Sequence, residues 1–384
     1  MKKIALILCL VLVASFVLSG CNNSDSIITL EDREVGKIEI QSGNTGETVE
    51  VTEEEVISQI ADILSLEFEK GEKSNDSTGW SYSVRWYDTE GKQINTVVIM
   101  NDESLGEGFR NYAILVNGDW VFRFPKSQQG ADELNKEIQL LPLLVGCVKV
   151  NIPQYVYIGK RSDGNPFVGY RKVQGQILGE DGMAVFPDDA KDRLALQLAE
   201  FMNELSAFPV ETAISAGVPV TNLKNKILLL SEAVEDQVFP LLDESLRDYL
   251  TLRFQSYMTH PVYTRYTPRL IHGDLSPDHF LTNLNSRQTP LTGIIDFGDA
   301  AISDPDYDYV YLLEDCGELF TRQVMAYRGE VDLDTLIRKV SLFVTFDQVS
   351  YLLEGLRARD QDWISEGLEL LEEDKANNFG ANSA

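Results

Sequence analysis

Two aspartates set the chemistry open to this sequence. Asp274 closes the run Leu270-Ile271-His272-Gly273-Asp274, and Asp296 opens Asp296-Phe297-Gly298 directly after Ile294-Ile295, 22 residues further on. Each follows a short apolar run of β type, so residues 270–301 read as neighbouring strands of a hairpin-like segment that deliver one carboxylate apiece. Phosphoryl transfer needs such a pair. One carboxylate orients and deprotonates the attacking hydroxyl, and the other holds the Mg²⁺ that bridges the nucleotide phosphates. His272, two residues before the first aspartate, and His279, five after it, belong to the same constellation.

The spacing follows the pattern H-x-D-x-x-x-x-N and then D-F-G, with Gly273 where arginine is usual and His279 where the second metal ligand is asparagine. HGDLSPDHFL and GIIDFGDAAISDPDYDYVYLLED resemble the aminoglycoside phosphotransferases, and most closely their 2''-phosphotransferase group. The resemblance implies an α+β, two-lobed protein-kinase-like fold, with a small β-rich N-lobe and a helical C-lobe, over residues 103–384. It implies ATP or GTP as phosphoryl donor, Mg²⁺, Asp274 as base beside His272, and Asp296 as metal ligand. Histidine at the metal-site position also occurs in that group. His279 is therefore expected as a metal or phosphate contact, or as the group that holds Asp296 or a metal-bound water.

The elements that must position this pair lie upstream. Glu103–Phe109 contains Gly106 and Gly108, a candidate phosphate-covering loop, because glycine lets backbone approach phosphate oxygens. Strands are expected at Tyr112–Val116 and Trp120–Phe124. On the second, alternation puts Val121 and Arg123 on one face and Phe122 and Phe124 on the other. Arg123 falls where the family carries its β-strand lysine, and Lys126 is the alternative cation. On the helix 131–144, Glu137 falls where the family carries its ion-pair glutamate, so the resemblance implies that it meets Arg123. Two more strands, 155–158 and 167–171, complete the N-lobe. From Asp188 the pattern turns helical: Leu194, Leu198, Phe201, Met202 and Leu205 form a stripe continued by 227–230 and 246–254, and 336–371 is amphipathic. Residues 375–384 are expected to fray.

The net charge of −28 argues against nucleic acid or an anionic membrane surface as partner and favours a cationic ligand. Acidic residues crowd behind Asp296: Asp299, Asp304, Asp306, Asp308, Glu314 and Asp315. Asp299, Asp306, Glu314 and Asp315 are candidates for holding the ammonium groups of an aminoglycoside, with Asp306 and Asp308 alternatively bracing the metal loop. The competing readings are a phosphotransferase for a macrolide or another small hydroxyl compound, and an inactive kinase-like binding domain. A monomer is expected.

The start of the chain points elsewhere. Met1-Lys2-Lys3, an apolar stretch 4–17 and Leu18-Ser19-Gly20-Cys21 read as a bacterial lipoprotein signal, with Cys21 lipidated. The apolar stretch is shorter than the roughly 20 residues of a spanning helix. Residues 22–102, with 18 acidic against 6 basic side chains, read as a small α+β domain: strand 37–40, a capping box at Thr52 and Glu55 opening a helix, then strands 80–86 and 94–100. A lipidated Cys21 would anchor the chain outside the membrane, whereas the nucleotide chemistry belongs in the cytoplasm. Cys147 and Cys316 are expected as buried free thiols.

Overall fold

In this computed structural model the residues described are 35–42, 48–52, 57, 82–99, 104–107, 110–116, 119–160, 164–283, 286 and 288–379. The lipoprotein signal with Cys21, the helix expected after Thr52, Trp80, Gly108 and Phe109 lie outside them. The chain divides into two compact units, Met1–Ile138 with Pro153–Lys172 and Gln139–Ile152 with Val173–Ala384. Among the described residues no helix is long and apolar enough to cross a membrane.

The first unit is β-rich. Strands β1 (Val35–Ser42), β2 (Thr48–Val51), β3 (Tyr82–Asp88) and β4 (Gln93–Ile99) form an antiparallel sheet in the order β2-β1-β3-β4. Period-two alternation buries Ile38, Val51 and Trp86 on one face. Asp88 closes the turn between β3 and β4 by accepting the amides of Glu90 and Lys92. A second antiparallel sheet contains β5 (Ser104–Glu107), β6 (Asn111–Val116), β7 (Trp120–Pro125), β8 (Tyr155–Lys160) and β9 (Pro166–Arg171), ordered β5-β6-β7-β9-β8. Gly106 thus lies in an edge strand rather than in a free loop. The expected alternation of β7 holds. Val121 packs with Leu115, Leu134, Val168 and Tyr170, while Phe122 and Phe124 form a separate cluster with Tyr157 and Phe167. Helix α1 (Gln128–Leu144) starts at Ser127, whose hydroxyl accepts the Gly130 amide, and it carries Glu137.

The second unit is mostly helical. Strand β10 (Gln176–Ile177) is followed by α2 (Glu180–Val185), α3 (Asp188–Ala207), α4 (Val210–Ser215), α5 (Leu223–Gln237) and α6 (Glu244–Thr259). Then come β11 (Arg269–Ile271), β12 (Phe280–Thr282), β13 (Leu291–Ile294) and β14 (Ala301–Ser303), and finally α7 (Val310–Cys316), α8 (Glu318–Arg328), α9 (Leu333–Ala358) and α10 (Gln361–Phe379). The five apolar residues of the α3 stripe are all buried. Of 227–230 only Ile227 is fully buried, and Leu228 and Leu229 are exposed. The core of this unit joins α5, α6, α9 and α10 around Leu250, Tyr257, Phe343, Phe346, Leu352 and Leu371. Residues 336–371 are two helices. Arg359 turns left-handed (φ 57°) and Asp360 caps the next helix by accepting the amides of Asp362 and Trp363.

Three expectations are corrected. The two aspartate-bearing runs are not paired with each other: β11 pairs with β14 and β13 pairs with β12. Strands of three or four residues carry too little pattern to specify their partner. Lys375 lies within helix α10, which runs to Phe379 and is tied down by Asp374. That carboxylate accepts the hydroxyls of Tyr249 (2.7 Å) and Thr345 (2.6 Å) and the Asn378 amide (2.8 Å). Both cysteines are free, but Cys147 is exposed just past the end of α1 and Cys316 is only half-buried.

Candidate functional site

In the second unit the chain brings His272, Asp274, His279 and Asp296 together from two small ribbons. His272 follows β11 and is fully buried. Its Nδ1 accepts the Asp274 amide at 3.3 Å, which leaves the proton on Nε2, and Nε2 donates to the Ile295 carbonyl at 3.1 Å. The ring therefore ties the first aspartate's loop to the segment leading into the second. Burial, reinforced by His279, pushes its pKa down to about 3, so it stays neutral. The Phe297 ring lies 4.7 Å from it, centroid to centroid, and Phe201 of α3 packs edge-on against both.

Gly273 explains the missing arginine. Its φ is +84°, and a Cβ there would stand 2.4 Å from the carbonyl oxygen of Asp299. No side chain fits. The loop is held from behind by buried Asp308, whose two carboxylate oxygens accept the amides of His272 (3.0 Å) and Gly273 (2.8 Å). Asp308 thus braces the His272–Asp274 loop, a role the sequence reading gave to the metal loop. Burial pushes its pKa up to about 6, against the pull of the two amides.

His279 stands between the two aspartates. Its Nδ1 lies 2.9 Å from the Asp274 carbonyl oxygen and 3.7 Å from Asp274 Oδ1, and its Nε2 lies 3.8 Å from Asp296 Oδ2. Burial lowers the affinity of the ring for a proton, but Asp274 and Asp296 outweigh it and the pKa is raised. Burial pushes the Asp274 pKa up to about 6; His279 pulls it down, and Asp299, Asp296 and Asp347 push it up again. Asp296 has a left-handed backbone (φ 64°), a conformation Asp tolerates better than most residues, and it turns a 42 % exposed carboxylate outward. Among the described residues no group of three or more His, Cys, Asp and Glu could hold a metal by itself. One exposed carboxylate does fit Mg²⁺, which usually takes one or two protein carboxylates and completes its shell with water and phosphate oxygens.

Beyond this group lies Asp347 on α9, within the stretch read from sequence only as amphipathic helix. Its carboxylate accepts the hydroxyls of Tyr307 (3.3 Å) and Tyr311 (3.1 Å). Its pKa is raised by burial, with Asp299 contributing to the rise. A lone acid among buried helix positions was the available signal. The other acidic candidates separate. Asp299 is exposed; Glu314 accepts the Gln348 amide at 2.8 Å; Asp315 is half-buried. Asp306 is engaged with Lys339 at 2.7 Å, so its charge is compensated within the fold.

In the first unit Arg123 and Glu137 meet as expected, at 2.8 Å, with side chains 7 % and 1 % exposed. Tyr155 of β8, which sequence reasoning missed, also donates to Glu137. Breaking such a buried pair costs roughly 3–5 kcal/mol, because the surviving charge stays desolvated. Lys126 lies over the Tyr112 ring at 4.7 Å.

The sequence model of the Phosphotransferase enzyme family matches residues 103–339. The chain belongs to that family. Among solved structures, the GDP complex of wild-type aminoglycoside 2'-phosphotransferase-IIIa is 98 % identical, with a TM-score of 0.72, over 73 % of this chain and 93 % of that one. A GDP and kanamycin complex of a 2''-phosphotransferase is likewise 98 % identical, with a TM-score of 0.72, over 72 % of this chain and 94 % of its own. Among curated proteins, viomycin phosphotransferase of Streptomyces vinaceus is 24 % identical over 258 residues, 66 % of this chain and 88 % of the relative. As a member of this family the chain is a phosphotransferase of kinase-like fold, with a β-sheet lobe and a helical lobe.

Proposed function

We propose that this phosphotransferase moves the terminal phosphoryl group of a nucleoside triphosphate onto a hydroxyl of an aminoglycoside, with Asp274 as general base. The observation that carries the assignment is the pair Asp274 and Asp296 held on either side of His279. A base works best with a pKa near the operating pH, and the Asp274 value of about 6 meets that condition. Asp274 orients the hydroxyl and takes its proton as the oxygen attacks phosphorus. Neutral His272 keeps the loop of Asp274 fixed to the backbone before Asp296. Asp296 would hold Mg²⁺, which when bound neutralises charge on the phosphates. His279, with its raised pKa, is a poor Mg²⁺ ligand and fits better as the group that orients both carboxylates. Arg123, aligned by Glu137 and Tyr155, supplies the cation for the phosphates.

The GDP held by the 98 % identical relative supports a guanine nucleotide as donor, and kanamycin in its second complex supports an aminoglycoside as acceptor. Asp299 and Asp347 would receive ammonium groups, since the charge of Asp299 helps to raise the Asp347 pKa and two carboxylates so coupled make a site of negative potential. Residues 1–21 are inferred to be a lipoprotein leader and 22–102 a module joined to the enzyme. The family model begins at residue 103, which supports that boundary.

The test is turnover of the purified protein with a panel of aminoglycosides and macrolides, each with ATP and GTP, beside Asp274→Asn and Asp296→Asn. Asp274→Asn should lower kcat by roughly 10²–10⁴-fold with nucleotide affinity kept, and Asp296→Asn should lose Mg²⁺-dependent nucleotide affinity. Turnover of no aminoglycoside, or one nucleotide Kd for both variants, would refute the reading.

A further inference from the structure

Lys339 lies in the second turn of α9, on a helix whose other core-facing residues are mostly apolar. Its side chain is 5 % exposed, and Nζ stands 2.6 Å from Asp304 Oδ2 and 2.7 Å from Asp306 Oδ2. Asp304 is itself fully buried. Two buried charges and a third only partly exposed are a costly way to hold two elements together, and apolar side chains of similar volume often do it better. The position of the triad in the chain gives it another use. Asp304 Oδ1 accepts the Asp306 amide at 3.1 Å and so caps the 3-10 turn Pro305–Tyr309. That turn carries Asp308, and Asp308 receives the amides of His272 and Gly273. Every link in the series is a short polar contact, running from an ammonium group on α9 to the loop of Asp274.

We propose that Lys339 is a positioning residue of the phosphoryl-transfer site: by clamping Asp304 and Asp306 it fixes the turn that presents Asp308 to the His272–Asp274 loop, and so sets the direction Asp274 faces. The inference rests on Asp274 being the base. Without the ammonium group, Asp304 and Asp306 repel each other across one residue, the cap loosens and the turn is free to rotate. Asp308 then swings with it, and the two amides it holds move off their line. The series runs within the second unit, whereas Arg123 and Glu137 belong to the first, so nucleotide binding through that pair is expected to be kept.

The experiment is a cycle of Lys339→Met, Asp308→Asn and the double variant in the full chain, reading kcat, aminoglycoside KM, nucleotide Kd and melting temperature. A misplacement of about 1 Å far from the chemistry can cost 10²-fold, so Lys339→Met should lower kcat roughly 10–100-fold with nucleotide Kd within about threefold. Because the residues act in series, the double variant should be no slower than Asp308→Asn alone. Lys339→Arg, which keeps the charge, should recover most of the lost rate. A kcat for Lys339→Met within about twofold of the parent, or losses that multiply in the double variant, overturns the proposal. If Lys339→Met does not fold, Asp304→Asn takes its place in the cycle with the same expected non-additivity. An inactive Asp274→Asn beside an unaffected Lys339→Met sinks this inference alone. A fully active Asp274→Asn beside a coupled loss at Lys339 sinks the base assignment instead.

Discussion

Replacing Gly273 by alanine tests the close approach of the two loops. The residue has φ +84°, which costs an L side chain about 1–2 kcal/mol. The added Cβ would also stand 2.4 Å from the Asp299 carbonyl oxygen and 3.0 Å from its carbonyl carbon. Relief requires a backbone shift on the order of 1 Å to reach ordinary contact distance. The loop cannot retreat freely, because its amides are bound to Asp308. Losing one such bond to a charged group costs about 1.5–3 kcal/mol. The control is Gly329→Ala, where φ is +86° and nothing lies within 4 Å of the added Cβ, so only the backbone term applies. At roughly 2–4 °C per kcal/mol for a domain of this size, Gly273→Ala should melt about 5–10 °C below the control. Its kcat should fall about 10²-fold, as a displaced base implies. Circular-dichroism melting and steady-state phosphorylation read the two effects. If Gly273→Ala melts within about 2 °C of Gly329→Ala and turns over normally, the approach is not the constraint described.

Three further outcomes are expected. The base must be deprotonated to act, so kcat/KM should be full above the Asp274 pKa of about 6 and fall about tenfold per unit below it. His279 pulls that pKa down, so His279→Asn should keep most activity while moving the acid limb upward; an unmoved limb in the pH profile would count against the coupling. Asp347→Asn should raise KM for a polycationic acceptor roughly tenfold with nucleotide Kd unchanged, and an unchanged acceptor KM would remove Asp347 from the binding surface. Deleting residues 1–102 should leave drug tolerance in cells equal or higher and move the protein out of the membrane fraction; tolerance confined to the full-length form would show that the module belongs to the enzyme.

How far the sequence reached depended on whether a signal was local. The spacing of His272, Asp274 and Asp296 is local to one segment, and the structure gathers all three around His279. Glu137 was legible because the order of loop, basic strand and helix matched the family in which a glutamate at that place pairs with the strand cation. Strand pairing was not, since Ile271 meets Ala301 while Ile294 meets Phe280, and four apolar residues cannot encode a partner. Asp347 and Lys339 were hidden for another reason. Each is a polar position in a helix whose period announces core, and its partners lie 33 to 40 positions away in the chain: Tyr307 and Tyr311 for Asp347, Asp304 and Asp306 for Lys339. Cys147 misled because free cysteine is usually buried, and here it sits beyond a helix end.

Gly273 carries one more consequence, for control rather than chemistry. Protein kinases are switched on when a phosphate added to a mobile segment is gripped by arginine, which orders the site. In this chain the residue beside the base has no side chain, and the space one would occupy is filled by the Asp299 carbonyl oxygen. The loop is instead seated by contacts built into the fold, from Asp308 and His272. Regulation by a phosphate gripped at that position is closed to it.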